Sequence, residues 1–125
     1  MENLQIKKSK ISGRGVFATN GFIGNEIIES CELIKIPHKE IEYLNKTNLY
    51  NYYFLWKKEA AIVLGFGSLY NHSYKPNAKY VKNYKNSKII FIALKIIKKG
   101  EEILINYNGN PKSKTKVWFE NKGLK

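Results

Sequence analysis

The longest apolar run in this chain is residues 89–97, IIFIALKII, and Lys95 already interrupts it. A run of that length cannot span a membrane. The rest of the sequence consists of shorter strand-like runs separated by Gly, Pro and Asn turns. Residues 4–11 alternate loosely, residues 15–19 (GVFAT) follow a Gly-bounded turn, and residues 26–36 (EIIESCELIKI) are rich in β-branched side chains. Residues 50–56 read as an aromatic strand and 61–65 as another. AKYV and KIIFIALKII, parted by NYKNSK, read as a hairpin. EEILINY reads as a last strand with Ile103 and Ile105 on one face. Pro37 opens the one short helix expected, where Ile41 and Leu44 lie three apart. Neither repeat nor linker interrupts the 125 residues. The expectation is a single, mostly β domain over 1–125 with little helix.

Composition narrows the chemistry. All ten acids are Glu, and Arg14 is the lone Arg among 22 cations. Without Asp there is no EF-hand loop and no Ser-His-Asp triad. Two His and one Cys do not supply four zinc ligands, so no metal is expected. A single Cys excludes an internal disulfide. MENLQIKKSK lacks the apolar centre of a secretory signal, and a soluble, intracellular protein is expected. The net charge of +12 raises the question of nucleic acid. The Lys are scattered along the chain, however, and the Arg fork that reads phosphates and bases is nearly missing. A specific nucleic-acid partner is not expected.

Three segments carry candidate chemistry. Gly13-Arg14-Gly15 lets backbone approach a ligand, although a plain turn between strands explains it equally well. In LGFGSLYNHSYKPNAKY, residues 64–80, Asn71, His72, Ser73 and Asn77 crowd polar groups into a Pro-limited loop. Such a loop either hydrogen-bonds itself or contacts a polar ligand. KKGEEILINY ends in Tyr107, whose hydroxyl can reach a reacting centre or simply pack. Nine Tyr against six Phe point to a ring-lined channel for a cationic or amine group.

GRGVFA, then NHSYKPNA, then GEEILINY, in this order and at these separations, resemble the SET-domain protein lysine methyltransferases. The resemblance covers about residues 4–119 and is greatest to the minimal viral and bacterial SET proteins, which share the LGFG before NHS and a short aromatic tail. It implies a SET-domain fold of several small sheets, with a core over about 4–107 and a C-terminal segment, 108–125, forming a pseudoknot near the NHS loop. The implied cofactor is S-adenosyl-L-methionine, held by the backbone of Gly13, Arg14 and Gly15, by the Asn71 side chain and by the His72 backbone, with Tyr107 and Trp118 also in contact. Tyr107 matches the catalytic tyrosine. Tyr52, Tyr80 and Phe119 match the substrate-lysine channel, and Tyr80 lies near the position that sets how many methyl groups are added. The implied partner is a protein or peptide bearing a lysine, a histone tail among the candidates, acted on in the cytoplasm or in a host nucleus. Homodimers occur among the minimal relatives. Asn106 departs from the family, which often has Asp there, and the zinc-binding Cys-rich flanks are missing.

The chemistry implied is in-line attack of a neutral lysine amine on a methyl carbon. A free lysine is protonated at neutral pH, with a pKa of about 10.4. An aromatic channel and a neighbouring positive charge both disfavour the ammonium, so no strong general base is needed. Because a Lys-rich surface repels basic tails, the five Glu within residues 26–42 are expected to border the channel. Two other classes compete: a SET-like module that binds lysine without turnover, and a basic nucleic-acid-binding domain that stacks bases on Tyr.

Overall fold

The computed structural model describes residues 3–117. Ten short strands form four small sheets. β1 (Leu4–Lys8) and β2 (Arg14–Ala18) make an antiparallel hairpin in which Lys8 faces Arg14. β3 (Ile27–Cys31), β8 (Ala78–Asn83) and β9 (Lys88–Ala93) form an antiparallel sheet in the order β3-β9-β8. β4 (Leu33–Ile36), β5 (Phe54–Trp56) and β6 (Glu59–Val63) form another, with β6 central. β7 (Asn71–His72) and β10 (Leu104–Ile105) pair in parallel. Among the described residues there is one α-helical turn, α1, at Ile41–Leu44.

The β8–β9 hairpin and the short helix fall where the sequence puts them. Two expectations change. Residues 26–36 are two strands in different sheets, since Cys31 pairs with Ile89 while Leu33 pairs with Val63. Glu32 is the corner, its carbonyl accepting from Leu64 N–H at 3.0 Å and its carboxylate pairing with Lys88. Residues 50–56 are not one strand either. The Thr47 hydroxyl accepts from Leu49 N–H and starts a 3-10 turn, Asn48–Asn51, so that only Phe54–Trp56 extends. Aromatic β-preference yields here to a local cap.

One apolar core ties the sheets together. Val16, Ala61, Tyr70, Ile89, Phe91, Ile97, Ile103 and Ile105 are buried in it. Burying side chains of this size stabilises by about 1.5–3 kcal/mol each for the large aliphatic and aromatic ones. Ile103 and Ile105 occupy the same face of their segment, as their alternation requires. Parallel pairing of β7 with β10 joins the NHS loop to the segment that leads into Tyr107. Asn77 clamps the joint: its Nδ2 donates to Glu102 O at 2.9 Å and its Oδ1 accepts from Leu104 N at 2.8 Å. Beyond β10 the chain passes close to the same loop. Tyr74 and Asn108 side chains both donate to Thr115 O, and Val117 is buried.

Candidate active site

β2 and β7 bring the first two motifs together at Asn71. Its side chain is fully buried, and its Nδ2 donates among three acceptors: Ser12 O at 3.1 Å, Arg14 O at 3.0 Å and Glu102 Oε2 at 2.8 Å. Those acceptors fix the orientation of the amide and leave Asn71 Oδ1 buried without a hydrogen-bond partner among the described residues. A buried orphan acceptor costs free energy unless a donor arrives. Glycine is required at position 15, because a Cβ there would collide with the Glu102 carboxylate and approach Asn71 Nδ2 to 2.9 Å.

The third motif reaches the same place through Tyr107. Parallel pairing of β10 with β7 carries Tyr107 past His72, and its N–H donates to His72 Nδ1 at 3.0 Å. The Tyr107 hydroxyl donates to Tyr70 O at 2.6 Å, and the Tyr80 hydroxyl donates to Tyr107 O at 2.9 Å. Burial, first, and then the neighbouring Tyr52 and Glu102 push the Tyr107 phenol well above its ordinary range. It therefore stays protonated and acts as a donor, not a base. Tyr80 is likewise pushed up to about 12, mainly by burial.

A cavity of about 460 Å³ opens beside these rings, lined by Tyr52, Phe54, Tyr70, Tyr80, Lys82 and Tyr107 among others. Phe54 meets Tyr80 edge-on at 4.9 Å between ring centroids, which stiffens the wall. Tyr52, Tyr80 and Tyr107, matched in the sequence to a lysine channel and its catalytic tyrosine, thus share one space. Gly13, Arg14, Gly15 and Asn71 do not line it; they form the adjoining polar cradle. Trp118 and Phe119 lie outside the described residues.

Three features escape sequence reasoning. Glu102 holds the cradle from behind, accepting from Ser9 Oγ at 2.7 Å as well as from Asn71. The His72 ring takes part, its Nδ1 accepting from Tyr107 N–H. Glu29 accepts from the Tyr70 hydroxyl at 2.7 Å and so anchors the residue whose carbonyl holds Tyr107. The second Glu of GEE was the only signal for Glu102, and its Ser9 partner is 93 residues away. One expectation is corrected: none of Glu26, Glu29, Glu32, Glu40 and Glu42 lines the cavity.

Comparison with known proteins agrees with this geometry. The SET domain family matches residues 13–108. The Schizosaccharomyces pombe histone-lysine N-methyltransferase specific for H3 lysine 37 is 30% identical over 119 residues, which cover 94% of this chain and 77% of that protein. A candidate histone methyltransferase from Plasmodium falciparum superposes with a TM-score of 0.74 at 34% identity, covering 95% of this chain and 98% of its own. An apo ctPRC2 structure with substituted Ezh2 shares the fold, with a TM-score of 0.71 at 23% identity over 87% of this chain and 15% of its own. The three ordered motifs meet in one site and the family match runs across most of the residues; this chain belongs to the SET-domain family.

Proposed function

We propose that this protein transfers a methyl group from S-adenosyl-L-methionine to a lysine ε-amine of a protein, with histones a candidate class because the relatives act on them by name. The observation that carries this reading is the placement of the Tyr107 hydroxyl at a tyrosine-walled cavity next to the Asn71 cradle. The residues present fit the cofactor. Asn71 Oδ1 lacks a donor among the described residues, and an amino-acid ammonium supplies one. When bound, S-adenosyl-L-methionine supplies a methyl group on a positively charged sulfur.

The chain's own residues then do the following. Tyr52, Tyr80 and Tyr107 enclose the incoming lysine and exclude water, which lowers the affinity of its amine for a proton. The excess proton leaves to solvent. Tyr107, its hydroxyl proton committed to Tyr70 O, presents its ring and oxygen at a fixed place and orients the amine. Most of the rate gain comes from that alignment. A shift in melting temperature with S-adenosyl-L-methionine and with its demethylated product, together with radiolabel transfer to histones or a peptide array, tests the reading. No shift and no transfer would overturn it.

A further inference from the structure

β8 is an edge strand whose inward face is set by alternation: Ala78, Tyr80 and Lys82 share one side, opposite Ala93, Phe91 and Ile89 of β9. Ala78, Ala93, Phe91 and Ile89 are fully buried, so this is the core face of the sheet. A lysine in that row breaks the apolar pattern. Lys82 is half-buried and lines the same cavity as Tyr80 and Tyr107. Among the described residues it is the cavity's one charged side chain, and no carboxylate among them lies within ion-pair distance of it. An ammonium withdrawn from water without a counter-ion is unfavourable. Burial accordingly lowers Lys82 from the ordinary lysine range.

We propose that Lys82 is an anion-recognition subsite of the lysine cavity, so that the preferred protein substrate carries an acidic side chain beside its target lysine. This rests on the methyl-transfer reading and gives it a substrate class. Tyr80 and Lys82 are about 7 Å apart along the strand, so an extended peptide presents the carboxylate within about two residues of its lysine. The net charge of +12 works in the same direction. The five Glu of residues 26–42, which would have welcomed a basic tail, are not in the cavity wall. An inward lysine can also protect a sheet edge from pairing with another chain. That role predicts no charge preference among peptides.

The test uses fluorescent peptides identical except for Glu, Gln or Lys at the two positions either side of a central lysine. Their affinities are measured by polarisation with the demethylated cofactor present, and their kcat/KM by radiolabel transfer, for the wild type, Lys82→Met and Lys82→Glu. Lys82→Met keeps the length and apolar stem of the side chain, so its fold is secure. The wild type is expected to favour Glu over Gln peptides about tenfold. Lys82→Met is expected to lose that preference, and Lys82→Glu to favour the Lys peptides. A wild-type Glu to Gln ratio within about twofold of unity, or a ratio unchanged in Lys82→Met, overturns the proposal. If the affinities follow charge as expected while no peptide is methylated, the subsite stands and the methyl-transfer reading falls. If methylation proceeds without charge preference, the reverse holds.

Discussion

The Tyr107 hydroxyl donates to the backbone carbonyl of Tyr70 at 2.6 Å, and that carbonyl belongs to the residue just before Asn71. The same dipeptide therefore holds Tyr107 with its first residue and the polar cradle with its second. Tyr70 is itself fixed, since its ring stacks at 4.5 Å from Phe91 and its hydroxyl is bound to Glu29. Neither half of the site can shift without moving the other.

Replacing Tyr107 by Phe removes one hydroxyl and keeps the ring. Tyr70 O loses its donor at a cost of about 1–3 kcal/mol, which a folded domain of this size tolerates. Methyl transfer should fall by about a hundredfold, the loss that follows when a reacting amine is no longer held in line. Circular dichroism checks the fold and radiolabel transfer the activity. Near-wild-type turnover would remove Tyr107 from the catalytic role.

Asn71→Ala leaves Ser12 O, Arg14 O and the Glu102 carboxylate without their shared donor and deletes the orphan Oδ1. Affinity for S-adenosyl-L-methionine should drop about tenfold or more. Calorimetry below the lowered melting temperature reads the effect on folded protein. An unchanged Kd would place the cofactor elsewhere.

Gly15→Ala tests the same cradle from the opposite side. The added methyl would displace the Glu102 carboxylate and crowd Asn71 Nδ2. Overpacking of this kind costs about 1–3 kcal/mol. Both stability in urea and cofactor affinity should fall. Gly13→Ala is the contrast, because a Cβ there meets nothing within 4 Å; its cost comes from a backbone φ of +49°. A harmless Gly15→Ala would show that Glu102 is not held where the structure puts it.

The residues grouped around the cavity and the cradle were easier to read from the sequence than those that hold them in place. Tyr107, Asn71 and Gly15 sit in short ordered motifs, and Tyr52 and Tyr80 were matched through the family resemblance that those motifs carry. Glu102, Ser9 and Glu29 act at long range, across sheets whose packing no local pattern records. Residues 26–36 look like one strand because Ile27, Ile28, Ile34 and Ile36 favour strands; only the competing pairings of Cys31 and Leu33 divide it. Residues 50–56 mislead because Tyr favours strands on average, while here Thr47 caps a 3-10 turn. Parallel pairing of two-residue strands β7 and β10 leaves no periodic signal at all.

Alkaline conditions should unfold this protein. Tyr80 is pushed up to about 12, and Tyr70 and Tyr107 are also raised, in each case chiefly by burial. An unfolded tyrosine ionises near pH 10. The fold favours the neutral phenols, so their contribution is complete below about pH 10 and is lost as pH rises through 12 and beyond. Urea midpoints measured between pH 8 and 11.5 should fall steeply only above about pH 10. Phenolate absorbance should show a fraction that appears only with unfolding, smaller in Tyr80→Phe. A flat stability profile to pH 11.5 would contradict the burial of these hydroxyls.

Asn106 explains its own departure from the Asp common in the family. It is 2% exposed, its Nδ2 donates to Ser113 O at 2.8 Å, and its Oδ1 accepts from Asn108 N at 3.0 Å. An Asp keeps the second bond but sets a carboxylate oxygen against the Ser113 carbonyl, where only a donor fits. Asn106→Asp should therefore destabilise by about 1–3 kcal/mol, and by more than Asn106→Ala, which loses the donor without adding a charge. The damage should concentrate where residues 113–115 meet Tyr74 and Asn108, seen as faster amide hydrogen exchange there and little change in β8 and β9. If Asn106→Asp matches the wild type in both melting temperature and exchange, residues 113–115 are not held by this side chain.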